Sequence, residues 1–442
     1  MGVSHHIDDT LHERPVDILR SLIRFETVNP PGNERPCIEW IGEVFETYGI
    51  EYETYAKDPD RPNIIARIPG GNDPPVLLYG HVDVVPVTDQ EWTHDPFEAV
   101  IDDGMVWGRG ALDMKVGVAM FLANFLRIAT EDEPIASDLV FLAVSDEEAG
   151  GEYGLEFLVE EHPELFDDIG FAIGEFGGYP MEVAGETFYP IQVNEKQVCW
   201  LEATFTGNSG HASLPTADTA MGKLGRFLAA VDAHRLPVHL TPTVESMIEA
   251  LAEGLPEDEG DRLLELLDPE KTDAVLEELP FDARVLDAVT HNTANPTIVS
   301  GGDKENVVPE AVRVRIDCRL VPGQTPDDVI DELRAVAGDV ADFEVVRFDE
   351  GPPPASLEHF DLLADVLESA TGKTAIPFMM YGATDARHLA QVGVESYGFI
   401  PLNMDDIPLL DILHSGDERV PVESVEWGTE RVYEALRDYG AA

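Results

Sequence analysis

The stretch Val76-Leu77-Leu78-Tyr79-Gly80-His81-Val82-Asp83 constrains this chain more than any other. Four strand-forming residues lead into a glycine, and a histidine and a carboxylate follow two places apart. Residues at i and i+2 of an extended backbone point to one side, so His81 and Asp83 can touch. A carboxylate that accepts the second ring N–H of a histidine is the usual way a metal-ligating imidazole is oriented. Taken alone, the pattern also reads as a strand end carrying a chance His-x-Asp, because Asp and Glu occupy 87 of 442 positions. The segments downstream bear on which reading holds.

Around this stretch, strand and helix patterns alternate. Pro15 to Phe25 and Glu34 to Tyr48 read as amphipathic helices separated by a Pro/Gly-rich loop, Asn29 to Asn33. Ile64–Ile68, Val76–Tyr79 and Asp138–Val144 read as buried strands, and Met114 to Ala129 as a helix with an almost wholly apolar face. Such alternation predicts an α/β catalytic domain with a mainly parallel sheet flanked by helices. Functional groups of such sheets gather at the carboxyl ends of the strands.

Past Val193 the pattern becomes β-α-β-β-α-β, a split βαβ arrangement. Its elements are Gln197–Thr206, Thr219–Ala233, Thr297–Ser300, Ala311–Leu320, Thr325–Ala337 and Phe343–Phe348. A strongly acidic helical insert, about 237–294, interrupts it. The expected organisation is a catalytic domain of residues 1–193 and 349–442, interrupted by a smaller α+β, ferredoxin-like lid of residues 194–348.

The formal net charge is −59, with acidic residues spread through the chain and only seven lysines. Self-repulsion on this scale opposes a compact state in dilute buffer, and concentrated salt screens it. A high-salt cytoplasm is therefore expected. Nucleic acid and anionic membranes are poor partners for such a field. No stretch reaches the roughly 18 apolar residues of a membrane span. Met1 to Arg14 is polar and acidic, so no secretory signal is expected. The three scattered cysteines, Cys37, Cys199 and Cys318, form neither a disulfide framework nor a CxxC metal knuckle.

Five segments carry the chemistry: His81-x-Asp83; Gly108-Arg109-Gly110-Ala111-Leu112-Asp113-Met114-Lys115; Ser145-Asp146-Glu147-Glu148-Ala149-Gly150-Gly151; Ile173-Gly174-Glu175-Phe176-Gly177-Gly178; and Leu413-His414-Ser415-Gly416-Asp417-Glu418. Each lies on a turn after an apolar element, and together they supply two imidazoles and several carboxylates. Such ligands suit zinc, with cobalt or manganese as substitutes. Two adjacent metals need a bridging carboxylate, and a lone Asp on a Gly-flanked turn suits that task. They also need a carboxylate that is not a ligand, to take a proton from the attacking water. Glu147 and Glu148 can divide these jobs. Outside this context, the pair is a solvated acidic turn.

In this order the segments resemble the M20 family of metallopeptidases and amidohydrolases over nearly the whole chain. The resemblance implies His81 and Glu175 on one metal, Glu148 and His414 on the other, and Asp113 bridging two Zn2+. It implies Glu147 as general base, Asp83 as partner of His81, and a cis peptide at Asp113–Met114. In the lid, it implies an oxyanion role for His211 within Gly207-Asn208-Ser209-Gly210-His211, commonly served in the partner subunit's site of a homodimer. It assigns Asn306 to the substrate and Arg319 to a substrate carboxylate, a task suited to a guanidinium fork. Thr384, within Tyr381-Gly382-Ala383-Thr384-Asp385-Ala386-Arg387, would line the pocket. Arg319 is open to another reading, as a strand ion pair, and His211 as a loop histidine.

Two departures matter. Val116 stands where the family often has glycine, and Gly174-Glu175-Phe176 replaces the common Gly-Glu-Pro. The second departure and the long insert point to the aminoacylase and carboxypeptidase S branch. The expected activity is hydrolysis of the amide bond in N-acyl amino acids or small peptides with a free carboxylate. Alternatives are an acetylornithine deacetylase or succinyl-diaminopimelate desuccinylase, a catalytically silent amino-acid- or partner-binding relative, or a mononuclear metal-dependent lyase or other hydrolase on the same α/β scaffold.

Overall fold

A computed structural model describes residues 7–131, 135–404 and 412–440. The chain divides into two compact units, Met1–Val193 with Ser356–Phe378 and Thr384–Ala442, and Asn194–Ala355 with Met379–Ala383.

The first unit is built on a nine-stranded sheet. From one edge it runs Tyr52–Tyr55, Asn63–Ile68, Ser137–Val144, Asp73–His81, Phe171–Gly174, Glu395–Gly398, Glu186–Glu195 and Thr374–Met380, with Met181–Val183 paired to Glu186–Glu195 off this path. The four central strands of this path, Ser137–Val144 to Glu395–Gly398, pair in parallel. Both flanks are antiparallel, through Asn63–Ile68 on one side and Glu186–Glu195 on the other. The parallel part is thus confined to the centre, where helices cover buried strands. Of the flanking strands only Ile64–Ile68 was expected, from apolar content, which does not report direction.

The register places His81 opposite Val144 and Leu78 opposite Ile173. The turns after these strands therefore open side by side, and they carry His81, Glu147–Glu148 and Glu175. Helix Lys115–Thr130 is buried along 13 of its 16 residues. Gly80 permits its close approach, because a Cβ there would lie 2.5 Å from Met114 Cε and 3.0 Å from Val118 Cγ2. At Gly174 a Cβ would fall 2.2 Å from Tyr79 Cζ, so the strand before Glu175 also packs without one.

The second unit contains the β-α-β-β-α-β order: Gln197–Thr206, Ala220–Ala233, Thr293–Ser300, Ala311–Leu320, Pro326–Ala337 and Asp342–Asp349. Its four strands form an antiparallel sheet with Gln197–Thr206 and Ala311–Leu320 in the middle. Alternate residues Cys199, Leu201, Ala203 and Phe205 pack with Val314, Ile316, Leu224, Phe227 and Leu333, as period two requires. Thr219 and Thr325 cap the helices by accepting from Gly222 N and Asp328 N, satisfying orphan N–H groups of the first turn. The insert contributes four helices, Pro242–Glu253, Glu257–Leu264, Thr272–Glu278 and Arg284–Thr290.

Cys37, Cys199 and Cys318 are free and buried. Among the described residues, no helix is long and apolar enough to cross a membrane.

Candidate metal centre

The centre forms where four turns of the first unit meet the loop that carries His414. His81 closes its strand at 1% exposure. Its Nε2 lies 3.1 Å from Asp113 Oδ1 and 3.1 Å from Glu175 Oε2. The second oxygen of Asp113, Oδ2, lies 3.0 Å from His414 Nε2, and Glu148 Oε2 lies 3.5 Å from that same nitrogen. Asp113 thus turns one oxygen to each histidine. Ligand atoms of His81, Asp113 and Glu175 lie within 4.8 Å of one another, as do those of Asp113, Glu148 and His414. The five residues expected as ligands fall into two triads that share Asp113. The Asp113–Met114 peptide is cis.

Charge is concentrated here. Burial disfavours a charged His81, yet hydrogen bonds with Asp113, Asp83 and Glu175 raise it well above the ordinary imidazole range. Contacts with Asp113 and Glu148 push His414 up to about 10. Burial and the charge of Asp113 push Glu148 up to about 7. Burial, then the neighbouring Glu175, raises Glu147 well above the usual carboxylate range. So many carboxylates held this close together call for positive charge. The donor set suits divalent cations: two imidazole Nε2 atoms with carboxylate oxygens, and a buried Glu148 Oε1 that accepts no hydrogen bond.

Asp83 serves more than His81. His81 Nδ1 lies 3.0 Å from the main-chain oxygen of Asp83 and 3.4 Å from its carboxylate Oδ1. The carboxylate itself accepts from Glu147 N at 3.1 Å, Glu148 N at 3.1 Å and Asn29 Nδ2 at 2.8 Å. It therefore pins the turn bearing the base candidate as well as facing the imidazole. Asn29 donates its other proton to Asp146, at 2.9 Å, and Arg61 pairs Asp146 with Glu34. Asp146 itself stands at φ 72°, in the left-handed region.

Further contributors had no role assigned from sequence. Glu418 is fully buried and accepts from Arg109 Nη1 at 2.6 Å, Gly110 N at 3.1 Å, Leu112 N at 2.7 Å and Asp113 N at 3.2 Å. It fixes the backbone that presents Asp113. Arg387 Nη1 lies 3.9 Å from Glu147 Oε1, and its Nη2 donates to Gly150 O at 3.2 Å. Asp385 is buried with neither oxygen hydrogen-bonded, and burial pushes it up to about 7. Glu418 and Arg387 were within motifs quoted for other residues; their partners are distant in sequence, which no local pattern reveals.

The remaining expected residues belong to other elements. Thr384 is buried in the first unit, where its hydroxyl accepts from Gln192 Nε2 and Ala386 N, each at 3.2 Å. His211 and Asn306 belong to the second unit. His211 pairs with Val307 in a short antiparallel ribbon, and Ala212 N donates to Asn306 O at 3.0 Å. Both side chains lie on exposed residues. Arg319 makes the strand ion pair its neighbours allow, with Nε 2.8 Å from Asp317 Oδ1.

Residues 77–438 match the model of peptidase family M20/M25/M40. The chain belongs to this family and is a metal-dependent hydrolase. It is 28% identical to aminoacylase-1B of Rattus norvegicus over 414 residues, covering 92% of this chain and 90% of the relative. The M20 family metallo-carboxypeptidase of Sulfolobus solfataricus shares the fold with a TM-score of 0.72 at 17% identity, over 97% of this chain and 100% of that one. A dinuclear metal binding peptidase of the M20 family from Bacillus subtilis superposes with a TM-score of 0.61 at 13% identity, over 98% and 99% of the two chains.

Proposed function

We propose that the protein is a dinuclear zinc hydrolase that cleaves the amide bond of N-acyl amino acids or small peptides bearing a free carboxylate. The observation that carries this reading is Asp113, whose two oxygens face two histidines, each with its own further carboxylate. His81 and Glu175 would hold one ion, Glu148 and His414 the other, and Asp113 both; Co2+ or Mn2+ would suit the same ligands. Bound there, two divalent cations supply Lewis acidity for the carbonyl and lower the pKa of the attacking water.

Glu147 is the general base. Its side chain is largely shielded, at 12% exposure, its turn is fixed by Asp83, and Arg387 lies beside it. It takes the proton of the attacking water and delivers it to the leaving amine nitrogen, so that a free carboxylic acid and a free amine result. His211 is assigned to the oxyanion, Asn306 and Arg319 to substrate positioning, and Thr384 to the pocket. The sequence likeness to aminoacylase-1B supports an N-acyl amino acid as substrate.

We assign a homodimer joined through the second unit, supported by its exposed edge strand Thr293–Ser300 with Ile298 61% and Val299 56% exposed. A high-salt cytoplasm rests on the charge of −59. The deciding experiment screens N-acyl amino acids and dipeptides for hydrolysis in high salt, with and without chelator. Chelator-sensitive release of amino acid is expected; hydrolysis indifferent to metal removal refutes the reading.

A further inference from the structure

The two triads are anchored differently. His81 belongs to a central strand of the sheet, whereas the His414 side chain is 53% exposed and stands on a loop at φ 57°. What holds that loop is a segment to which no role has been given, Gln90 to Thr93. Gln90 Nε2 donates to the main-chain oxygen of His414 at 2.8 Å, while Gln90 Oε1 accepts from Arg109 Nη2 at 2.7 Å. Thr93 clasps the other end of the loop, its N and Oγ1 donating to Asp417 Oδ1 and Oδ2 at 2.6 and 2.7 Å. Between these clasps the two backbones lie in contact. A Cβ at Gly416 would fall 2.1 Å from Glu91 O, so the loop seats flush only because this residue is glycine.

We propose that Gln90 and Thr93 form a seat for the His414 loop and thereby set the affinity of the Asp113–Glu148–His414 position far more than that of the His81–Asp113–Glu175 position, which shares Asp113 but not the loop. This rests on the two-metal reading. Neither residue touches the reacting atoms; both are positioning residues. A ligand held in place before binding costs less to order when the ion arrives, and groups that orient ligands change metal affinity by roughly 10- to 100-fold. Gln90 also joins the loop to Arg109, and so to Glu418 and the backbone of Asp113. The spacing of Asp113 and His414, two of the three ligands of this position, is thus tied through one amide side chain.

The test uses full-length wild-type protein, Gln90→Met and Thr93→Val, each stripped of metal and titrated with Zn2+ by calorimetry and chelator competition. The first equivalent is expected to bind as in the wild type and the second about tenfold more weakly, with turnover restored by excess Zn2+. In the metal-free variants, amide exchange at residues 414–417 is expected to accelerate while the strand carrying His81 stays protected. Equal weakening of both equivalents, or no weakening, overturns the proposal, as does unchanged exchange at 414–417. Wild-type protein that binds fewer than two equivalents overturns the two-metal reading instead, and the exchange comparison then judges the seat alone.

Discussion

Substituting Asp83→Asn tests which of the two jobs of this carboxylate matters more. The change preserves volume in a fully buried position and places an NH2 where an oxygen stood. At Oδ2 that group would confront two donors, Glu148 N and Asn29 Nδ2. At Oδ1 it would confront Glu147 N, with His81 Nδ1 3.4 Å away. The second arrangement is the cheaper, and it leaves the Glu147 amide unsatisfied. A buried donor without its partner costs about 1–3 kcal/mol. His81 keeps its 3.0 Å contact with the main-chain oxygen of Asp83, which the substitution does not remove. The loss should therefore fall on the placement of Glu147 rather than on the imidazole. Expressed wholly in the barrier, it lowers kcat roughly 5- to 150-fold, since each 1.36 kcal/mol is tenfold. Steady-state kinetics on the best substrate, with Zn2+ content measured in parallel, reads both effects. Unchanged kcat at full metal occupancy, or lost metal with normal turnover once metal is resupplied, would refute this division of labour.

Three further outcomes follow from the geometry. Glu147→Gln should retain both metals and lose about 10²- to 10⁴-fold in kcat, the usual share of a general base; near-normal turnover would remove Glu147 from that role. Glu418→Gln leaves Arg109 buried beside a neutral partner and should cost about 3–5 kcal/mol of stability, read by urea unfolding, together with weakened metal binding. Raising KCl from ~0.1 to ~1 M shortens the Debye length from about 10 to about 3 Å and should raise Tm; a flat or falling Tm would exclude charge repulsion as a main destabilising force.

Where the sequence was legible, short-range physics was the reason. Gln197–Thr206 and Ala311–Leu320 alternate apolar and polar residues along one buried face, and both strands have the expected ends. Thr219 and Thr325, read as the first residues of helices, are their N-caps. The expected ligands His81, Glu148 and Glu175 converge because they end or closely follow neighbouring parallel strands of one sheet. The antiparallel flanks of the main sheet were not legible, since strand direction depends on connections rather than composition. Nor were Glu418, Arg61 and Asn29. Each acts through partners at least 27 residues away, and in so acidic a chain one more carboxylate carries no local signal. Asp83 was read as a partner of His81, but its contacts with Glu147 N and Glu148 N depend on two strands lying side by side.

The candidate centre draws four of its expected ligands from the first half of the chain and the fifth, His414, from far downstream, with the entire second unit encoded between them. During synthesis His81, Asp113, Glu148 and Glu175 leave the ribosome well before His414 or the Glu418 that secures the Asp113 backbone. Joining ends so far apart adds a closure entropy that grows as about (3/2)RT ln n, and that contact cannot form on a nascent chain. On the proposed two-metal reading, full metal uptake would wait until His414 has been made. A chain cut short before His414 could fold much of its sheet and still lack one triad, which separates a well-formed scaffold from a competent catalyst during biosynthesis.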